Sequence, residues 1–118
     1  MNLLFIHQNF PGQYKHLAQW LGARGDHRVV ALSQRAASPI PGVTHIRYAP
    51  HHGAAKDAYA LSRHWEDCAG AGFAVVEACR RLEAEGFRPD LVLGHVGWGE
   101  LTFLKQLWPD VPVLGYFE

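Results

Sequence analysis

The chain has 118 residues, enough for one domain and too few for the two domains of roughly 100 to 150 residues each that many cleft enzymes carry. Hydrophobic residues make up 48% and charged residues 19%, a balance that supports a buried core and excludes intrinsic disorder. Eleven Lys and Arg offset eleven Asp and Glu for a net charge of zero, so the basic stripe that a nucleic-acid partner demands is missing. Near neutrality also leaves association between copies, through exposed apolar surface, open.

In chain order, Asn2–His7 is a short apolar run that suits a strand buried on both faces, and Gln8–Gly12 is a loop. From Gln13 to Arg24 the residues Tyr14, Leu17, Ala18 and Leu21 recur with helical spacing, and Gly25 stands where a helix stops. Arg28–Ser33 reads as a second strand. Gln34–Gly42 is a loop with two prolines, and Val43–Tyr48 is a third strand. That connection is short for a parallel crossover, so a parallel strand is preferred and an antiparallel edge stays open. After a loop at Pro50–Ala55, the residues Ala58, Leu61, Trp65, Cys68, Gly72, Val75, Cys79 and Leu82 form one helical seam. Phe73, Val76 and Ala78 widen it, which favours packing on a sheet over a coiled coil. Gly70 and Gly72 predict a bend or a close approach in that helix. Asp90–His95 is a fourth strand, Gly99–Trp108 a short helix stopped by Pro109, and Val111–Phe117 a fifth strand.

Strands alternating with helices give an α/β class: a Rossmann-like three-layer sandwich on a mostly parallel sheet of about five strands. No stretch reaches the ~20 apolar residues of a membrane span and no signal peptide precedes the first strand, so a cytoplasmic protein is expected. Cys68 and Cys79 fall on one helix about 16 Å apart, beyond disulfide reach, and are expected to be buried free thiols.

In such a fold the ligand lies beyond the carboxyl ends of the strands, where strand order reverses, which directs attention to His7–Gly12 and His95–Glu100. Pro11 and Gly12 can turn the chain with positive φ at the glycine into a helix whose N–H groups suit an anion. They would serve equally as a plain strand-to-helix connection. A dinucleotide fingerprint is absent, because one glycine stands alone and Ser33 occupies the end of the second strand where an acidic residue belongs. His95 closes the fourth strand and suits proton handling or a hydrogen bond to a sugar or phosphate oxygen; a satisfied histidine at a strand end is the plainer alternative. His7 matches it on the first strand, where holding the loop would explain it. His51 and His52 would join these as metal ligands only with a ligand spacing such as H-E-x-x-H, which the sequence lacks. Glu100 by default favours the dipole of the helix it begins. Trp98, between two glycines, suits stacking on a sugar ring or a partner. Trp20, off its helix's apolar face, and Trp108, before a proline, hint at an exposed aromatic interface.

Together Asn2–Tyr14 (NLLFIHQNFPGQY), Pro89–His95 (PDLVLGH), Gly97–Phe103 (GWGELTF) and Leu114–Glu118 (LGYFE) resemble the amino-terminal segment of bacterial family 4 glycosyltransferases. The resemblance spans essentially the whole chain and is most specific in HQNFPGQY and GWGE. It implies the GT-B fold, two Rossmann-like domains across a cleft, of which this would be the acceptor side, with the carboxy-terminal donor domain as missing partner. It implies that Pro11 and Gly12 lie near the donor diphosphate, that His95 sits beside the transferred sugar as the catalytic position, and that His7, Trp98 and Glu100 line the acceptor side. The family often has His-x-His where this chain has Leu93-Gly94-His95, and two glycines where it has Pro11-Gly12. A nucleotide sugar enters as substrate, and neither cofactor nor metal is implied. The family's paired glutamates belong to the second domain, so the chain by itself is expected to transfer nothing. Contact of the parent with the inner face of a membrane stays open. The alternative is a stand-alone, non-catalytic Rossmann-like module for a small anionic ligand or a protein. A receiver-like regulator is disfavoured, since His7, Ser33 and His95 stand where an acidic cluster would be needed.

Overall fold

The computed structural model describes residues 1–50 and 53–118. His51 and His52, and with them part of the loop expected at Pro50–Ala55, lie outside the described residues. Five strands, β1 (Asn2–Ile6), β2 (Arg28–Ser33), β3 (Val43–Arg47), β4 (Leu91–His95) and β5 (Val113–Tyr116), form one sheet in the order β3-β2-β1-β4-β5. Every pairing is parallel, β2 with β3 included, so the open choice at the third strand resolves to parallel.

A short 3-10 turn at Gly12–Tyr14 leads into helix α1 (Lys15–Arg24), which Gly25 closes in the left-handed region at φ 71°. Helix α2 (Ala60–Ala84) crosses back from β3 to β4 on the opposite face, as right-handed crossovers in opposing directions require. The β2–β3 connection needs no helix of its own because α1 already covers that face; Ala37 and Ile40 simply pack into the same layer.

Strand periodicity divides the core. Leu4, Ile6, Val30, Leu32 and Val92 meet Val75, Cys79, Leu82, Phe87 and Trp108 on the α2 side. Their neighbours Leu3, Phe5, Val29, Ala31 and Leu93 meet Phe10, Tyr14, Ala18 and Leu21 on the α1 side. Successive side chains point to opposite faces, and β1 is apolar at both parities because both of its faces are covered. This is the expected three-layer sandwich.

Three expectations are corrected. The seam along α2 enters the core only from Gly70 onward, for Leu61 is 81% and Trp65 64% exposed. A helix of 25 residues extends about 37 Å, whereas strands of 4 to 6 residues span about 20 Å at most, so the first turns of α2 overhang the sheet. Cys68, at that boundary, is only half-buried, while burial pushes the fully enclosed Cys79 thiol up to about 12. Second, residues 97–103 form successive turns and the only helix that follows is α3 (Leu104–Leu107), not Gly99–Trp108. Third, Trp108 is a core residue, 1% exposed, with its indole N–H donating to Glu83 Oε1 at 2.9 Å. Trp20 does lie exposed, under the Arg24 guanidinium. Among the described residues no helix is long and apolar enough to cross a membrane.

Candidate functional site

Strands β1 and β4 are neighbours at the centre of the sheet, and their crossovers leave on opposite faces, which opens a crevice at their carboxyl ends. His7 follows β1, His95 ends β4, and their rings lie 5.0 Å apart between centroids. The two histidines are held alike. His7 Nδ1 accepts the Asn9 backbone N–H at 2.9 Å, and His95 Nδ1 accepts that of Gly97 at 3.2 Å. Each neutral ring therefore carries its proton on Nε2.

From that point their environments diverge. His7 Nε2–H donates to Gln13 Oε1 at 2.7 Å, so both of its nitrogens are engaged within the loop. Burial lowers the His7 pKa, a shift that the Gln13 bond opposes and the nearby His95 reinforces. His95 Nε2 faces Glu118 Oε2 at 3.6 Å, close enough for an ion pair but longer than a hydrogen bond. Gln13 Nε2–H in turn donates to Glu118 Oε1 and closes a polar ring around the crevice.

The Pro11-Gly12 turn lies against this group. Tyr14 N–H donates to Pro11 O at 2.8 Å, and Gly12 has φ +46° with its Cα packed on the His7 ring, where a Cβ would come within 2.6 Å of Nε2. Only glycine satisfies both constraints. Tyr14 lies beneath, its hydroxyl buried without a hydrogen-bond partner among the described residues and pushed up to about 12 by burial and by Tyr116.

The turn after β4 separates two cavities. One, of about 320 Å³, is walled by Gln8 and Gln34 from the loops after β1 and β2, by His64, Asp67 and Cys68 from the overhanging part of α2, and by Trp98 and Glu100. The other, about 330 Å³, is lined by His95, Gly97, Trp98, Phe117 and Glu118. Trp98 belongs to both and is 50% exposed. The close approach expected at Gly72 fixes this wall. Gly99, at φ +91°, lies so near α2 that a Cβ would meet Cys68 O at 2.2 Å, and a Cβ on Gly72 would meet Gly99 O at 2.9 Å.

Glu100 is not the first-turn residue of a helix, as the sequence suggested, but an interior carboxyl, 1% exposed. Tyr48 Oη donates to its Oε1 at 3.4 Å, and its Oε2 has no partner among the described residues. Burial raises the carboxyl pKa, only in part offset by backbone, His95 and Tyr48 interactions, and it raises that of the Tyr48 hydroxyl too. Gln8 Nε2–H donates to Gln34 Oε1 at 3.1 Å, which leaves Gln8 Oε1 and Gln34 Nε2 for another partner. Among the described residues no three His, Cys, Asp or Glu side chains are grouped as a metal would need.

The structure thus gathers Pro11, Gly12, His7 and His95 at one crevice and places Trp98 and Glu100 across the turn beside it. Sequence reasoning missed Gln13, Glu118, Tyr48 and the Gln8–Gln34 pair. Gln8 and Gln34 each stand just past the end of a central strand, which is a usable signal; the α2 residues had none, because the overhang of the helix is not encoded locally.

A family model described as glycosyl transferase family 4 group matches residues 25–118. The match includes the GWGE turn and leaves HQNFPGQY outside. No curated protein matches the chain. Among solved structures the apo UGT2 of Phytolacca americana superposes with a TM-score of 0.59 at 15% identity, over 98% of this chain. The chain spans 29% of the length of that structure's chain.

Proposed function

The chain belongs to the glycosyl transferase family 4 group, and on that footing we propose that it is the acceptor-side domain of a glycosyltransferase, moving a hexosyl group from a nucleotide sugar to a hydroxyl acceptor. The observation that carries this reading is the pair of cavities meeting at Trp98, one lined by His95 and Glu118, the other walled by polar side chains and closed by Glu100.

In this reading the donor enters over the His95 cavity from a second domain, with its diphosphate toward Pro11 and Gly12. The turn from Gly12 into α1 presents backbone N–H groups that suit an anion. His95, with its proton held on Nε2 by the Gly97 contact, donates a hydrogen bond to an oxygen of the transferred sugar or the departing phosphate. His7, with both nitrogens engaged, positions the loop rather than touching substrate. The acceptor lies across Trp98 with its hydroxyl aimed at the anomeric carbon. Its oxygen bonds that carbon as the bond to the diphosphate breaks, the leaving group takes the electron pair, and the acceptor proton leaves to the diphosphate. Catalysis is then chiefly orientation and charge stabilisation.

The test is transfer from a nucleotide sugar measured twice, with the full-length gene product and with the 118-residue chain alone. Transfer by the former and none by the latter is expected. Transfer by the chain alone would overturn the division of labour, and none by the full-length product with any donor would overturn the reading.

A further inference from the structure

Resting on that reading, we propose that the cavity between α2 and the Trp98 turn takes an uncharged sugar as acceptor, stacked on the Trp98 indole, hydrogen-bonded by Gln8, Gln34 and Glu100, and rejects phosphate- or carboxylate-bearing acceptors. Four observations converge on this class. Its volume, about 320 Å³, is at the low end for small-molecule sites, which suits a sugar ring or two rather than a lipid chain. The Trp98 indole is half exposed on its wall, a flat amphipathic face of the kind that packs against the C–H face of a sugar.

The polar groups match hydroxyls rather than anions. The Gln8–Gln34 bond leaves one carboxamide oxygen and one carboxamide nitrogen for another partner, and a sugar hydroxyl both donates and accepts. The described lining residues include no Lys or Arg, while Asp67 contributes a carboxylate. Among the described residues a phosphate there would meet the Asp67 carboxylate and neither Lys nor Arg. The last observation is Glu100. It lies in the wall almost wholly buried, with Oε1 taken by Tyr48 and Oε2 unpaired among the described residues, and an unpaired buried oxygen is costly unless a ligand group completes it. A sugar hydroxyl completes it without importing charge.

The experiment is a titration of the 118-residue chain, labelled with 15N at tryptophan, at about pH 8, where ordinary histidines are neutral. The uncharged probes are methyl α-D-glucopyranoside, methyl β-D-galactopyranoside and N-acetylglucosamine, and the anionic ones are glucose 6-phosphate and glucuronate. The Trp98→Phe variant assigns the Trp98 indole resonance. At least one uncharged sugar is expected to shift that resonance with a millimolar Kd, and the anionic probes to bind about tenfold more weakly or not at all. Glu100→Gln is expected to weaken binding about three- to tenfold, and Trp98→Ala to abolish it, with the circular dichroism spectrum kept by both. The proposal is overturned if an anionic probe binds as tightly as the uncharged ones, if no sugar moves the resonance up to its solubility limit, or if both variants bind like the wild type. Turnover by the full-length product with a phosphate-bearing acceptor would remove this acceptor class and leave the transferase reading standing. Sugar binding here without any nucleotide-sugar turnover would do the reverse.

Discussion

Gly99→Ala probes the contact that sets the wall between the two cavities. Gly99 sits at φ +91°, a conformation that costs an L-residue about 1 to 2 kcal/mol. A Cβ there would also lie 2.2 Å from Cys68 O and 2.6 Å from the Cys68 carbonyl carbon and Cα. Those atoms are helix backbone and cannot swing aside, so α2 or the turn must shift, at an overpacking cost of about 1 to 3 kcal/mol. The expected loss is therefore about 2 to 5 kcal/mol, a large share of the ~5 to 15 kcal/mol that holds a domain folded. Gly25→Ala separates the two contributions, because Gly25 has φ +71° but nothing within 4 Å of its Cβ position. It should lose only the conformational part, about 1 kcal/mol. Gly72→Ala tests the facing side: a helical alanine gains about 1 kcal/mol, opposed by contacts of 2.9 Å to Gly99 O and Phe103 Cδ2, so the net change should be a loss smaller than that of Gly99→Ala. Urea unfolding followed by far-ultraviolet circular dichroism gives all three values. If Gly99→Ala costs no more than Gly25→Ala, the backbone contact does not hold the wall in place.

Trp108→Ala should cost about 3 to 5 kcal/mol in the same assay, because it empties a core position and strips Glu83 of its indole donor. Leu61→Ser and Trp65→Ser, on the overhanging turns of α2, should each change stability by less than about 0.5 kcal/mol, and a multi-kcal/mol loss would mean that this face is covered. Stability should respond to pH in two opposite ways. The folded His7 pKa is lowered, so the unfolded chain binds more protons just below 6.5; His7 therefore costs stability as pH falls through that value, and His7→Gln should flatten that slope. The folded Glu100 pKa is raised, so the folded chain holds its proton longer; stability falls as pH climbs above 4.5 through the raised value, and Glu100→Gln should remove that decline. Urea midpoints across the acid range decide both.

Much of this architecture could be read in the chain because short-range signals and tertiary packing agree. Leu3–Ile6 is apolar at both parities and proves to be buried on both faces; Gly25 is where α1 stops; and the reversal of strand order falls between His7 and His95. Where reading failed, a distant contact decides the local conformation. Gly99 reads as a helix start, yet the Cys68 backbone, far away in sequence, holds it at positive φ and postpones the helix to Leu104. The α2 periodicity continues through Leu61 and Trp65 although no strand lies beneath them. At the site, the bond from Gln8 to Gln34 joins residues 26 apart and that from Tyr48 to Glu100 joins residues 52 apart, and neither leaves a local trace. The places of His95 and Trp98 could be read because one ends an apolar strand and the other stands between two glycines in the turn that follows, whereas Glu100 is a buried carboxyl and not the helix-dipole partner that its position suggests.

The acceptor-dependent release of nucleoside diphosphate from a nucleotide sugar, by the full-length gene product and its His95→Ala variant, bears most directly on the transferase reading. Turnover by the wild type that falls about a hundredfold or more in His95→Ala, with the unfolding midpoint little changed, is the predicted result, since one preorganised donor at the reacting centre is worth that much. Equal turnover by the two, or none by the wild type with any nucleotide sugar, would contradict it.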